Sequence, residues 1–247
     1  MAAARSGAGL VTAGIPRAVA DVVAASMMEI MTFPLPSTDQ ETFATAAADP
    51  ALAFADTKTA VVLGPGLSPH PHAREFALRV IENCSRAMLV DADGLNALAA
   101  KVDVLGRRPV ASVLTPHPGE MSRLCGVSTQ EIQGAREQIA AEFAEKWKVT
   151  LVLKGAGTIV ASPGGDVFVN STGNSGLATG GTGDVLSGII GAMLAQGLDP
   201  TDAAILGVFA HGMAGDFAAR DCTERGLIAG DVIDRLPETW AALETET

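Results

Sequence analysis

The chain has no surplus of positive charge: 17 Lys and Arg stand against 28 Asp and Glu over 247 residues, a formal net charge of −11. Nothing is left over to neutralise a nucleic-acid backbone or an anionic bilayer, so both are excluded as partners. A small anion held in a local pocket is still allowed, because salt screens the net charge beyond about 8 Å. No apolar run approaches the roughly 20 residues of a membrane-spanning helix. The start, Met1-Ala2-Ala3-Ala4-Arg5, does not have the charged-then-apolar order of a secretion signal, and the cytoplasm is the expected compartment. Cysteine is scarce. Cys84, Cys125 and Cys222 are odd in number, far apart and not at metal-ligand spacing, which predicts free thiols in a reducing environment. Linkers, internal repeats and low-complexity tracts are lacking as well, so a single domain over 1–247 is expected.

What is present is a globular composition, 48% hydrophobic and 18% charged with 27 Gly, ordered as alternating strand and helix signals. Short aliphatic runs at 59–63, 87–90 and 111–114 end in Gly64-Pro65-Gly66, Asp91-Ala92-Asp93 and Thr115-Pro116-His117. This pattern predicts a mostly parallel sheet covered by helices, with three loops gathered at the carboxyl ends of the strands, where open α/β sheets bind ligands. Further on, 150–154, 158–161 and 167–169 read as consecutive antiparallel strands joined by short turns, which makes the sheet mixed. Val185, Leu186, Ile189, Ile190, Met193 and Leu194 recur at helical spacing, as do Leu206, Phe209, Ala210, Met213, Ala214 and Phe217. Two helices are therefore expected to end the core, with Pro200-Thr201 as the break and N-cap between them. Residues 32–58, with Pro34 and Pro36, read as a loop with at most one short helix.

The segment from Ser171 to Asp184, STGNSGLATGGTGD, is dense in glycine and opens directly into the first of these helices. Glycines let successive backbone N–H groups converge, and a helix N-terminus adds unpaired donors and about half a positive charge, so the arrangement suits an anion. Neither GxxxxGK[ST] nor GxGxxG after a first strand is present. Asp184 at the helix start is either a cap or a reactive carboxylate, and the glycines around it favour the second.

Five motifs occur in chain order: Gly64-Pro65-Gly66-Leu67; Val90-Asp91-Ala92-Asp93-Gly94-Leu95-Asn96; Thr115-Pro116-His117-Pro118-Gly119-Glu120; Lys154-Gly155-Ala156-Gly157-Thr158; and the segment 173–184. Together they resemble the NAD(P)H-hydrate dehydratase branch of the ribokinase superfamily, over nearly the whole chain. The resemblance implies a ribokinase-like α/β fold with a mostly parallel central sheet flanked by helices in three α/β/α layers. It implies dehydration of the S-epimer of NADH or NADPH hydrate (NADHX, NADPHX) at the expense of ADP, releasing AMP and phosphate. The wording of the last two motifs is similar to the bacterial, ADP-using subgroup. By residue-by-residue transfer, Gly66 and His117 touch the hydrate, and Lys154, Gly155, Ala156, Gly157, Thr158 and Gly183 touch the nucleotide. Gly181, Thr182 and Gly183 form the anion hole, Asp184 is the base on the reacting hydroxyl, and Glu120 is a candidate Mg²⁺ ligand or else only a helix cap. Asp91 and Asp93 are expected to hydrogen-bond loop backbone.

The resemblance also implies a homotetramer and a functional pairing with a hydrate epimerase. Family members usually begin with a further strand and a fuller first helix. Here Met1 falls inside that helix, and an exposed sheet edge is expected. An ATP-dependent version of the reaction, a small-alcohol kinase of the superfamily and an inactive nucleotide-binding partner of the epimerase are the alternatives.

Overall fold

The computed structural model describes residues 1–108 and 110–245. It opens with α1 (Ala2–Arg5), β1 (Thr12–Pro16), α2 (Ala20–Ser26), β2 (Met31–Leu35) and α3 (Ala48–Ala55). There follow β3 (Ala60–Leu63), α4 (Pro71–Asn83), β4 (Ala87–Val90), α5 (Ala92–Leu98) and β5 (Ser112–Leu114). Next come α6 (Pro118–Cys125), α7 (Thr129–Gly134), α8 (Arg136–Trp147) and the strands β6 (Thr150–Leu153), β7 (Ile159–Ala161) and β8 (Val167–Val169). The helices α9 (Thr182–Ala195), α10 (Pro200–Gly226) and α11 (Ala229–Thr245) close the order.

Strands β3 to β8 form one sheet in sequential order, parallel from β3 to β6 and antiparallel at β7 and β8. Right-handed crossovers that all advance in one direction must lie on one face. Accordingly Phe76 and Ile81 of α4, Leu98 of α5, Met121 of α6 and Phe143 of α8 share a core with Met88, Val90, Leu114, Leu151 and Leu153. The alternate strand residues Leu89, Val113, Val152 and Val160 meet Leu186, Ile190 and Met193 of α9 and Val208 of α10 on the other face. Each such buried aliphatic side chain contributes about 1.5–3 kcal/mol. The three-layer, mixed-sheet expectation is met.

Two expectations are corrected. Residues 32–58 are not mainly loop: β2 pairs in parallel with β1, Ile15 opposite Pro34, and α3 follows. Proline is tolerated there because β2 has β1 as its only partner among the described residues, and an edge strand can spare a donor. Nor do two helices end the chain, since Val232 and Leu236 of α11 pack on Val185 and Ile189 of α9 and Ala214 and Ala218 of α10. The N-cap of α10 is Asp199, which accepts a hydrogen bond from Thr201 N–H at 2.9 Å, with Pro200 in the first turn.

The expected open edge is β3. Among the described residues it pairs only with β4, and Val62 is 40% exposed. An apolar cavity of about 580 Å³ separates β3 from the β1–β2 pair, lined among others by Gly14, Phe33, Phe54 and Val61.

Close packing of α10 against the glycine-rich segment depends on a missing side chain. A Cβ on Gly212 of α10 would lie 2.2 Å from Thr172 Oγ1 and 2.7 Å from the Thr172 carbonyl carbon, whereas one on Gly230 of α11 would meet nothing within 4 Å. Gly212→Ala should lower the unfolding free energy by about 1–3 kcal/mol through overpacking. Gly230→Ala should leave it unchanged or raise it by up to about 1 kcal/mol through helix propensity. Urea unfolding of the two variants measures both, and equal effects would contradict the packing described.

Candidate active site

The strand-end loops are stitched together beyond the regular sheet. Asp91 N–H donates to Leu63 O at 3.0 Å, Thr115 N–H to Val90 O at 3.2 Å, and Lys154 N–H to Pro116 O at 2.9 Å. Only glycine fits at 64: its φ is +127° and a Cβ there would lie 1.8 Å from Asp91 O. Gly66 follows on this turn with φ +70°, and Asp93 steadies it by accepting a hydrogen bond from Ser68 N–H at 3.1 Å. The backbone role expected of Asp93 is thus confirmed.

The same expectation fails for the Asp91 side chain. Its carboxylate is 1% exposed and accepts from Lys154 Nζ at 2.7 Å and from Ser187 Oγ at 2.7 Å. A buried anion needs charged or hydrogen-bonding partners, and a side chain aimed inward from the end of β4 finds both on β6 and α9 rather than in its own loop. Lys154 also lies 3.9 Å from Glu120. A Cβ on Gly183 would stand 3.5 Å from Lys154 Nζ and 4.0 Å from Asp91 Oδ2, so the lysine turn and the anion loop meet here.

Helix α9 begins on Gly181 at φ +87°, with no side-chain cap. Its first hydrogen bond runs from Val185 N–H to Gly181 O at 3.1 Å, and the preceding first-turn donors of Thr182, Gly183 and Asp184 are the ones a helix leaves for an outside acceptor. Asp184 is therefore not a cap. Its carboxyl group is pushed up from the ordinary value of 3.8, first by partial desolvation and then by Asp91, with Lys154 pulling the other way.

Around the lysine turn, Arg136 of α8 donates to Leu153 O and Gly157 O, both at 3.2 Å, and Thr158 Oγ1 donates to Gly155 O at 2.9 Å. The glycine-rich segment is fastened to α10: Asp216 accepts from Gly173 N–H at 2.8 Å and Asn174 Nδ2 at 2.9 Å, and Thr172 Oγ1 donates to Phe209 O at 2.9 Å. Thr182 Oγ1 donates back to Leu177 O at 2.7 Å and Thr179 O at 2.9 Å, closing the loop on itself. His117 and Glu120 form a capping box on α6. His117 Nδ1 accepts from Gly119 N–H at 3.0 Å and Glu120 N–H at 3.3 Å, and Glu120 Oε2 accepts from His117 N–H at 2.8 Å. Burial raises the Glu120 carboxyl group, against the pull of Lys154 and His117.

The structure therefore gathers Glu120, Lys154, Gly183 and Asp184 around Asp91, with His117 beside Glu120 and Gly66 on the adjoining strand-end turn. Ser187, Arg136, Asp216 and His211 were not anticipated. The apolar cavity shares Gly64, Pro65 and Leu67 with this ring but includes none of Asp91, His117, Lys154 or Asp184. Converging charge and free backbone donors, not this cavity, mark the chemistry. Among the described residues no group of three or more His, Cys, Asp or Glu is arranged to hold a metal ion.

A sequential parallel sheet with an uncapped glycine-rich helix start at its carboxyl edge defines a ribokinase-like protein. The ribokinase of Thermotoga maritima shares the fold at a TM-score of 0.52 and 15% identity over 96% of this chain and 84% of that one. Residues 1–238 match the family model described as NAD(P)H-hydrate dehydratase, and the chain belongs to that family. It is 46% identical over 245 residues to the bifunctional NAD(P)H-hydrate repair enzyme of Moorella thermoacetica, a match covering 99% of this chain and 46% of the relative. The ADP-dependent (S)-NAD(P)H-hydrate dehydratase of Bacillus subtilis is 36% identical over 189 residues, 76% of this chain and 66% of the relative. The structure of the Bacillus subtilis ADP/ATP-dependent NAD(P)H-hydrate dehydratase co-crystallised with ATP and Mg²⁺ superposes at a TM-score of 0.79 with 30% identity, covering 98% of this chain and 82% of that one. The chain spans just under half the length of the bifunctional relative.

His211 of α10 lies beneath the anion loop, partly buried, facing the Thr182 backbone, and its Nε2 is shut off from water without a hydrogen-bond partner. Burial lowers its pKa to about 4 from 6.5. The folded protein therefore holds this imidazole neutral while the unfolded chain protonates it, and stability is lost as pH falls from about 6.5 towards 4, by roughly 3 kcal/mol for this group. Urea unfolding at pH 7 and pH 4.5 should show a smaller acid loss in His211→Gln than in the parent. An equal loss would mean that His211 does not titrate in this way.

Proposed function

We propose that the chain dehydrates the S-epimer of NADH or NADPH hydrate using ADP, releasing AMP and phosphate. The observation that carries this reading is the uncapped start of α9, which places Asp184 and the free N–H groups of residues 182–184 beside Lys154. The hydrate carries a hydroxyl next to the ring nitrogen, and hydroxide is a poor leaving group. Asp184 takes the hydroxyl proton as the oxygen attacks the terminal phosphorus of ADP, and AMP departs. The N–H groups of Thr182, Gly183 and Asp184 receive the negative charge that develops on the transferred phosphoryl group. The ring nitrogen lone pair then expels phosphate by breaking the C–O bond, and loss of the neighbouring proton restores the dihydronicotinamide.

In this reading the turn Lys154, Gly155, Ala156, Gly157 and Thr158 holds the nucleotide, stiffened from behind by Arg136. Gly66 and His117 form the hydrate side. His117 Nδ1 is occupied by two backbone donors, so the half-exposed ring offers its face and edge to substrate. A magnesium ion fits as a partner of the nucleotide phosphates. Glu120 Oε2 accepts from backbone and Oε1 lies 3.4 Å from His117 Nε2, so this carboxylate would reach the ion only through water and help offset phosphate charge. ADP is proposed over ATP because the last two motifs are similar to the ADP-using subgroup and the Neisseria meningitidis relative is named ADP-dependent, whereas the Bacillus subtilis enzyme carries both an ADP-dependent and an ADP/ATP-dependent description.

Among the described residues no helix is long and apolar enough to cross a membrane. A cytoplasmic homotetramer working with a hydrate epimerase completes the proposal, and the bifunctional relative supports the joining of two repair activities.

Incubation with NADH hydrate, Mg²⁺ and either ADP or ATP, followed by NADH absorbance, tests the reading. The expected result is a faster initial rate with ADP. Asp184→Asn should lower turnover by about 10²- to 10⁴-fold, the span of a positioned general base, and leave nucleotide affinity unchanged. Accumulation of a stable phosphate ester without NADH would instead identify a small-alcohol kinase, and Asp184→Asn keeping half the parent turnover would remove the base.

A further inference from the structure

Lys154 has three carboxylates within its reach or influence, and only one of them holds it. Asp91, from the end of β4, binds the ammonium at 2.7 Å, Glu120 of α6 stands at 3.9 Å, and Asp184 of α9 feels its charge. Asp91 is 1% exposed while the Lys154 side chain is 20% exposed, so the ammonium reaches from a buried anchor towards the open site. The other Asp91 oxygen accepts from Ser187, one helical turn beyond Asp184 on the same face of α9. One carboxylate thereby sets the lysine and the second turn of α9 in a common frame.

We propose that Asp91 is a positioning residue that clamps Lys154 and Ser187 and so keeps the ammonium beside the anion loop and away from Asp184. The proposal rests on the reading of Asp184 as the base. A lysine free to swing within a cleft of three carboxylates would pair with the most exposed one, Asp184, and a base engaged by an ammonium is a weaker proton acceptor. Held by Asp91, the same cation serves the incoming phosphates and leaves Asp184 basic. Asp91 also acts on Asp184 through its charge, in the direction that strengthens it as a base, opposite to Lys154. The remaining ionisable neighbour on this side, His211 of α10, is partly buried and neutral near pH 7.

The test compares the parent with Asp91→Asn, Lys154→Met and the double variant. Titration of the Asp184 carboxyl carbon by NMR without ligands, its signal assigned by its loss in Asp184→Asn, gives a readout independent of turnover. Asp91→Asn should move the Asp184 midpoint to lower pH, Lys154→Met should move it higher, and the double variant should return towards the parent. The acid limb of the kcat profile for NADH hydrate with ADP and Mg²⁺ should follow, and kcat near neutrality in Asp91→Asn should fall by about tenfold as the base weakens.

A purely structural Asp91 would lower stability and leave the midpoint in place, and that result, or an upward shift, overturns the proposal. Asp91→Asn leaves a lysine unmatched and can fail to fold, whereas the double variant removes both charges. The shift from Lys154→Met to the double variant isolates the direct charge of Asp91. The clamp requires the shift from the parent to Asp91→Asn to be larger, or Asp91→Glu, which keeps the charge but displaces it, to lower the midpoint; shifts no larger than the direct charge effect overturn it. A parent enzyme that does not turn over the hydrate would defeat the proposed reaction, while the carboxyl titrations would still judge the clamp.

Discussion

A carboxylate taken almost wholly out of water must be matched, and in this protein the matching joins parts of the chain that nothing local connects. Asp91 ends β4, Lys154 follows β6 and Ser187 lies in α9, 63 and 96 residues away in sequence from Asp91. Their hydrogen bonds cross from the sheet to the helix layer at the point where the glycine-rich loop enters α9. The charge that is expensive to bury also ensures that loop, lysine turn and helix start arrive in one arrangement. Removing a single partner leaves an uncompensated charge at a position almost closed to water.

Around that clamp, backbone does most of the shaping. The strand-end turns can interlock because Gly64 and Gly94 carry no side chain where the two loops touch: a Cβ at 94 would lie 2.9 Å from Leu63 O. The anion loop is held from outside by Asp216, Thr172 and Thr182, so its own N–H groups at the start of α9 are left free of side-chain caps. Polar groups that could have stabilised the helix by capping it are instead employed one layer back. The result is a helix start whose first-turn donors are already unengaged by side chains, as the proposed anion site requires.

The parallel strands could be read from the sequence because each is a short aliphatic run closed by Gly, Pro or Asp, and the alternation of Met88, Leu89 and Val90 between the two buried faces follows directly. Strand β2 could not, since Pro34 and Pro36 look like loop residues until the edge position that tolerates them is known. The C-terminal helix α11 was missed because its apolar residues Val232 and Leu236 have meaning only against α9 and α10. The same division holds at the site. Asp184, Lys154, His117 and Glu120 sit in local motifs and were legible, whereas Ser187, Arg136, Asp216 and His211 act through partners far along the chain. Ser187 carried no signal of its own beyond its place one turn after Asp184.

The open side of β3 sets a gradient across the sheet. Strand β5 is enclosed by β4 and β6 and covered on both faces, so its amides can reach water only when much of the protein opens. The amides of β3 that point away from β4 face a cavity instead of a ladder. Protection against solvent exchange therefore rises from β3 towards β5 over a distance of two strands, and the Gly64 turn hangs from the least protected strand. Of the two turns proposed to face the hydrate, that of Gly66 thus hangs from the least enclosed strand and that of His117 from the most enclosed one.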